Sequence, residues 1–303
     1  MKKRELFFGT ATALVTPFSN GEVDAEAFCR LIDHQIESGV QALVIGGTTG
    51  EAATLSDKER YLVFSLAKER CEGRAKLVLG TGTNDTRLAV SHTVMAKKTG
   101  CDGVLVVTPY YNRGTAQGVV KHYQTIANST DLPIILYNVP GRTGVDLSFS
   151  TLETLSREEN IVGIKEASDS VDRLVRLAAF GEELRLYAGN DSAAYTVLSL
   201  GGSGVISVAS NLFPKEMVRL CRLYKEGAYE ECLRLQLSLL PVIRALFTET
   251  NPSPIKYAMW RYGERAHIPA ISGELRLPLS EVSELSKTEI DFAVESFLAK
   301  NGC

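Results

Sequence analysis

A chain of 303 residues, 45% hydrophobic and 23% charged, carries enough apolar material for one large α/β domain with an appendage or for two medium domains, and excludes a disordered chain. A formal net charge of −3, with Lys and Arg scattered along the sequence, excludes the basic footprint of a nucleic-acid-binding protein. The six cysteines (Cys29, Cys71, Cys101, Cys221, Cys232, Cys303) form no C-x-x-C pair, which excludes the usual zinc and redox motifs and fits reduced thiols in the cytoplasm.

At the N-terminus, Lys2, Lys3 and Arg4 precede Leu6, Phe7 and Phe8, an apolar run too short for the h-region of about 7–15 residues of a signal peptide. No apolar stretch approaches the ~20 residues needed to span a bilayer, so no membrane partner is expected. Short apolar runs then alternate with amphipathic stretches, the pattern of parallel strands joined by covering helices. The predicted strands are Thr12–Thr16, Ala42–Ile45, Lys76–Leu79, Gly103–Val107, Ile134–Tyr137, Val162–Lys165, Leu184–Ala188 and Val205–Val208. Between the first two, Phe28, Leu31, Ile32 and Ile36 share a helical face, and Asp24 and Ser56 stand where N-caps are expected. Eight consecutive βα units over about 220 residues fit a (β/α)8 TIM barrel better than an open doubly wound sheet. The barrel is placed at residues 1–224, and residues 225–303 are read as a helical C-terminal region packed on it. Within that region Tyr229–Phe247 is helical in period, with Pro241 expected to kink or split it.

In such barrels chemistry sits at the C-terminal ends of the strands. The second strand ends in Gly46-Gly47-Thr48-Thr49-Gly50-Glu51, where glycines allow a sharp turn that exposes backbone N–H groups: a cradle for a small anion, or an ordinary Gly-rich turn. The sixth reads Ile161-Val162-Gly163-Ile164-Lys165-Glu166, with a lysine at the end of an apolar run. Period-two alternation puts Ile161, Gly163 and Lys165 on one face, with Gly163 relieving crowding of the lysine stem. If that face is the lumen, desolvation lowers the lysine pKa and supplies a neutral amine to attack a carbonyl carbon. The alternative is a lysine that snorkels outward or pairs with Glu166. Tyr137 ends the fifth strand and can pass protons, or merely pack. Tyr110 and Tyr111 end the fourth, and Arg142 is a candidate carboxylate clamp. The four histidines make no metal-binding pattern, Gly80-Thr81-Gly82 lacks the dinucleotide fingerprint, and Gly201-Gly202-Ser203-Gly204 lacks the P-loop lysine, so neither a metal nor a cofactor is expected.

Taken together, GGTTGE at 46–51, TPYYN at 108–112, YNVPGRTG at 137–144, GIKEAS at 163–168, GND at 189–191 and NPSPIK at 251–256 resemble the dihydrodipicolinate synthase family, in order and over essentially the whole chain. The resemblance implies a lyase of class I aldolase type: pyruvate forms a Schiff base with Lys165, and its enamine attacks L-aspartate 4-semialdehyde. The adduct cyclises to 4-hydroxy-tetrahydrodipicolinate, for lysine and diaminopimelate synthesis. It further implies that Thr48 and Thr49 hold the pyruvate carboxylate, and that Tyr137, Thr49 and Tyr111 form a proton relay, with Tyr111 entering from a neighbouring subunit of a homotetramer (a dimer of dimers). Arg142 would bind the aldehyde's carboxylate, and the backbone near Gly189 and Ile206 would line the pocket. Other pyruvate aldolases such as N-acetylneuraminate lyases share the lysine and the tyrosine, and Gly141-Arg142-Thr143-Gly144 favours the synthases. A barrel that binds ligands without turnover is the alternative from another class. Lysine-inhibited relatives carry a serine, two histidines and a glutamate around an allosteric cleft. The matching positions here are Ala52, Asp57, Arg60 and Leu88, with Asn84 and Tyr110 retained, so weak or absent feedback inhibition is expected.

Overall fold

The computed structural model describes residues 3–168 and 170–301; Lys2 and Cys303 of the sequence reading lie outside the described residues. In chain order the strands are β1 (Gly9–Ala13), β2 (Phe18–Ser19), β3 (Glu22–Val23), β4 (Ala42–Ile45), β5 (Lys76–Gly80), β6 (Gly103–Val107), β7 (Ile134–Asn138), β8 (Ile161–Glu166), β9 (Arg185–Ala188) and β10 (Gly204–Ser207). Eight of them close a parallel barrel in the order β1-β10-β9-β8-β7-β6-β5-β4, while β2 and β3 form a small antiparallel hairpin absent from the sequence reading. The hairpin turns at Asn20 and Gly21, both with positive φ, the conformation that a two-residue Asn-Gly turn favours.

The helices are α1 (Ala25–Glu37), α2 (Asp57–Cys71), α3 (Thr86–Thr99), α4 (Ala116–Ala127), α5 (Pro140–Thr143), α6 (Phe149–Leu155), α7 (Val171–Ala178), α8 (Ala194–Ser199), α9 (Pro214–Lys225), α10 (Tyr229–Ala245), α11 (Ser253–Tyr262) and α12 (Glu284–Asn301). Asp24 caps α1 by accepting from the Ala27 amide, and Ser56 and Glu59 form a reciprocal capping box on α2, each cap contributing about 1 kcal/mol. The helix α9 packs on β1, α10 packs on α9 and α12, and α11 packs on α12. Expected to break at Pro241, α10 instead runs through it. Pro241 is exposed, so the carbonyl that loses its N–H partner can be solvated.

Two apolar clusters divide the core. The larger lies between strands and helices; the smaller fills the lumen with Ala11, Ala42, Val78, Leu105, Ile135 and neighbours. Leu6 and Phe7 close the floor of the lumen: the Phe7 ring lies 4.5 Å from that of Tyr187, whose hydroxyl donates to the Phe7 carbonyl at 2.8 Å. Lys3 anchors the same segment by donating from Nζ to the Ser156, Glu158 and Ile161 carbonyls at 2.6, 2.7 and 2.6 Å. Lys3, Leu6 and Phe7 therefore form a plug at the floor of the lumen.

Apart from shifts of one residue at the ends of β5, β7, β8, β9 and β10, two strands depart from expectation. The first ends at Ala13 rather than Thr16, because Thr10 and Thr12 serve as buried strand residues, donating to the Met217 carbonyl and to Gln35 Oε1, while Thr16 turns at the rim to donate to the Gly50 carbonyl. In β8 the register slips by one residue against Ile134 and Ile135, a bulge that opposes two residues to one. Ile161 consequently joins the outer cluster and Val162 the luminal one, correcting the expectation that Ile161 shares a face with Lys165. Nor does Gly163 relieve the lysine stem. A side chain there would come within 2.8 Å of the Arg185 carbonyl and 3.1 Å of the Tyr187 ring, so the glycine makes room for β9.

The described cysteines are free thiols, and burial pushes Cys71, Cys101 and Cys232 up to about 11 and Cys221 to about 12, which keeps them as unreactive thiols at neutral pH. No described helix is long and apolar enough to cross a membrane.

Candidate active site

The loop after β4 is shaped by close approach. Gly46 has φ +65°, and a side chain at Gly80 would meet the Gly46 carbonyl at 2.2 Å, so the turn lies flat on the end of β5. Among the described residues neither the Thr48 nor the Thr49 amide donates to a backbone carbonyl, which leaves both N–H groups for a ligand. Glu51 closes the loop with φ +53°, in the left-handed region that side chains seldom adopt.

Its carboxylate explains how that conformation is held. Glu51 forms an ion pair with Lys256 of α11, with both side chains inaccessible to solvent, and its second oxygen accepts from the Arg276 amide at 3.1 Å. Lys256 Nζ also donates to the Glu274 carbonyl at 2.7 Å and lies 4.2 Å from the Phe18 ring centroid. Burial pulls the Lys256 pKa down, and Glu51 opposes that shift. The loop after β4 is thus tied to α11 through a pair that must remain intact, since either partner alone would be a charge buried without compensation.

Strands β7 and β8 bring Tyr137 and Lys165 into register as direct neighbours. Both are buried, and Lys165 Nζ lies 4.2 Å from the centroid of the Tyr137 ring. The alternative pairing with Glu166 does not occur. Glu166 instead accepts from Arg173 Nε at 2.8 Å and from Asn138 Nδ2 at 2.9 Å, behind the strand. Lys165 Nζ makes no hydrogen bond or ion pair among the described residues. It opens into a cavity of about 420 Å³ shared with Thr48, Thr49, Tyr137, Arg142 and Gly189. Gly189 is required there because a side chain would lie 2.7 Å from the Ala167 Cβ and the Glu166 carbonyl oxygen. Ile206 is buried in the luminal cluster and does not line this cavity.

A buried carboxylate that the sequence reading left without a role also faces the lysine. Asp191 Oδ2 accepts from the Val208 and Ala209 amides at 3.0 Å each, while Oδ1 is buried without a partner. Burial raises the Asp191 pKa, and the Ser207 hydroxyl, the two amides and Lys165 oppose the rise. Asn251 was likewise missed: its Nδ2 donates to Thr49 Oγ1 at 2.9 Å, and its carbonyl accepts from Arg142 Nη2 at 3.2 Å. The GND and NPSPIK stretches were the available signals, but neither indicates which side chain reaches which strand.

A second cavity of about 1030 Å³ adjoins the first through Thr48, Tyr137, Arg142 and Asn251. Ala52, Asp57, Leu88, Tyr110 and Tyr111 line it; Asn84 does not, and uses its carbonyl to accept from Asn112 Nδ2 at 3.0 Å. Asp57 Oδ1 lies 2.9 Å from His92 Nε2, and Arg60 donates to the Ala52 and Gly80 carbonyls, so these charges are engaged within the chain. Tyr111 is 89% exposed at φ +67° and reaches no part of the Lys165 cavity within one chain. Among the described residues no group of three or more His, Cys, Asp or Glu side chains could hold a metal ion.

A model of the Dihydrodipicolinate synthetase family matches residues 6–296. The 4-hydroxy-tetrahydrodipicolinate synthase of Alkaliphilus oremlandii is 43% identical over 286 residues, covering 94% of this chain and 97% of that one. Among solved structures, the 4-hydroxy-tetrahydrodipicolinate synthase of Methylacidiphilum fumariolicum superposes with a TM-score of 0.92 at 43% identity, covering 97% of this chain and 98% of the other. The chloride-inhibited dihydrodipicolinate synthase of Acinetobacter baumannii, complexed with pyruvate, gives 0.91 at 38% identity over 96% of this chain and 98% of its own.

Replacing Lys256 by Met strands the Glu51 carboxylate in the interior. The expected loss is about 3–5 kcal/mol of stability, read from urea unfolding. An unchanged urea midpoint would show that the pair does not hold the loop.

Proposed function

Because the chain belongs to the dihydrodipicolinate synthetase family, we propose that the cavity at Lys165 is where its reaction takes place. That reaction is the condensation of pyruvate with L-aspartate 4-semialdehyde to 4-hydroxy-tetrahydrodipicolinate, in lysine biosynthesis. The observation that carries the assignment of the site is the register of Tyr137 with Lys165 in one cavity that is also lined by Thr48 and Thr49, whose amides donate to no backbone carbonyl among the described residues.

In this reading the Thr48 and Thr49 amides hold the pyruvate carboxylate and present C2 to Lys165. The neutral amine adds to C2, the carbonyl oxygen leaves as water, and an imine remains. Loss of a C3 proton gives the enamine, whose carbon attacks the aldehyde of the second substrate. The amino group of the adduct then displaces Lys165 from C2, closing the ring and freeing the enzyme. Tyr137 and Thr49 move the protons that these steps require. Arg142, which has no carboxylate partner among the described residues and stands where the two cavities meet, takes the carboxylate of the aldehyde substrate. We take residues 1–224 as the catalytic barrel and 225–303 as a helical region packed on it, supported by the contacts of α10 with α9 and α12.

Borohydride reduction in the presence of pyruvate, followed by peptide mapping, is expected to place a stable adduct on Lys165, and Lys165→Ala to abolish both adduct and turnover with aspartate semialdehyde. An adduct on another lysine would overturn the assignment.

Tyr111 supports an oligomeric site. An exposed aromatic in a strained backbone conformation, beside but outside the cavity, fits a residue that completes the relay of a neighbouring subunit in a homotetramer built as a dimer of dimers. Mixing Lys165→Ala chains with Tyr111→Phe chains is expected to restore activity neither has alone, because one mixed interface regains a complete site. No recovery after subunit exchange would refute the sharing.

At the larger cavity, exposed Leu88 offers no carboxylate to an ammonium group, and Asp57 is engaged by His92. Millimolar lysine is therefore expected to leave turnover nearly unchanged; strong inhibition in a dose–response series would contradict this.

A further inference from the structure

The proposed reaction uses every cation on the Lys165 cavity but one. The last turns of α10 present Leu240, Ile243, Arg244 and Phe247 to that cavity, positions three or four apart that share one helical face. The helix is fastened there by Gln236, whose Nε2 donates to the Asp191 carbonyl and whose Oε1 accepts from the Tyr195 amide, each at 3.2 Å. Three of the four residues are apolar. The fourth, Arg244, is exposed and carries a full charge on the wall of the cavity.

Arg244 lacks the partner that comparable arginines have. Arg222 pairs with Glu226 and Arg234 with Glu230, each four residues away along its own helix. The same offsets from Arg244 fall on Leu240 and Thr248, and offsets of three fall on Pro241 and Phe247. No carboxylate of α10 can therefore neutralise it, and among the described residues it forms no ion pair with another element. The carboxylate on this cavity, Asp191, commits Oδ2 to the Val208 and Ala209 amides.

Charge decides what such a group can hold. Pyruvate and aspartate semialdehyde bring one carboxylate each, and in the proposed reaction the Thr48 and Thr49 amides take the first and Arg142 the second. The semialdehyde also carries an ammonium group, so it is neutral overall and leaves Arg244 unmatched. A phosphate monoester carries a charge of about −1.5 to −2 at neutral pH and three acceptor oxygens. Two guanidiniums on one cavity suit that dianion, since each can donate two parallel N–H bonds to it. The cavity, at about 420 Å³, is of a size usual for small-molecule sites. We infer that Arg244 makes the acceptor side of the Lys165 cavity an anion subsite, with Arg142 supplying the second charge, and that a phosphate-type dianion binds there in competition with the aldehyde substrate. The inference rests on the proposed role of the cavity and adds to it a ligand class that neither substrate represents.

Inorganic phosphate is the probe, titrated into the full-length protein and followed by calorimetry and by the shift in Tm. Binding is expected in the wild type and about 10–100-fold weaker binding in Arg244→Gln, the range of a hydrogen bond to a charged group. Arg244→Lys, which keeps the charge, should recover most of it. At saturating pyruvate, phosphate is expected to raise the KM for the semialdehyde without lowering kcat, and sodium chloride at equal ionic strength should not. An arginine that serves only the C-terminal dipole of α10 would change stability in urea and leave phosphate affinity as it was. Four results each overturn the inference: no binding by either readout, equal affinity in Arg244→Gln, an equal effect of chloride, or competition with pyruvate in place of the semialdehyde. Borohydride trapping separates the two levels of failure. Trapping of pyruvate on Lys165 without Arg244-dependent phosphate binding sinks the subsite alone, whereas Arg244-dependent binding without an adduct on Lys165 sinks the reading of the catalytic site.

Discussion

The site depends on one buried ion pair, that of Glu51 with Lys256. The loop that carries Thr48 and Thr49 ends in a residue held in the left-handed region, a conformation that persists only where its surroundings over-determine it. Lys256, the Arg276 amide and the Phe18 ring supply those surroundings, and each comes from a segment remote in sequence. Arg276 extends the same connection outward, pairing with Glu59 of the capping box and donating to the Thr54 carbonyl. The side-chain bond to Arg276 holds the Glu59 carboxyl down at about 2, so the anion persists throughout the range in which such an enzyme works. A charge taken out of water is tolerated only with its partner, which binds the helix carrying Lys256 to the loop of Thr48 and Thr49.

A second constraint sits on the strands themselves. Register in a parallel sheet decides which side chains are neighbours, and here it sets the Tyr137 ring beside Lys165 Nζ. The bulge at the start of β8 redirects Ile161 to the outer core without disturbing Lys165 four residues later. Behind the strand, Glu166 is fully occupied by Arg173, Asn138 and the Ser168 amide, so it cannot neutralise the lysine. In front, Asp191 is buried and spends one oxygen on two backbone amides. Lys165 is thereby kept buried without a hydrogen-bonded anion, open to the cavity it shares with Tyr137 and Gly189.

Much of this was legible from local pattern alone. Period-two apolar runs separated by amphipathic stretches identify the strands to within a few residues, because both faces of a barrel strand are buried and the alternation of βα units admits few topologies. Asp24 and Ser56 announce helix starts through chemistry confined to three residues. Lysine, tyrosine, paired threonines and arginine stand at strand ends, where the fold collects its chemistry. The first strand was misplaced because threonine side chains read as polar until their hydroxyls are seen to have buried acceptors. The bulge went unseen because register is a property of two strands.

What the sequence by itself determined is the barrel, the order of its strands and the residue types gathered at its rim, since each follows from periodicity and from residues within a few positions of one another. What only the tertiary structure decided is which of those residues meet. The bond from Asn251 to Thr49 and the pair of Lys256 with Glu51 each span about two hundred positions along the chain. The outward placement of Tyr111 depends on a backbone conformation that its neighbours in sequence do not require. Contacts of that kind arise from packing the C-terminal helices on the barrel, and packing is a relation between surfaces that no local pattern encodes.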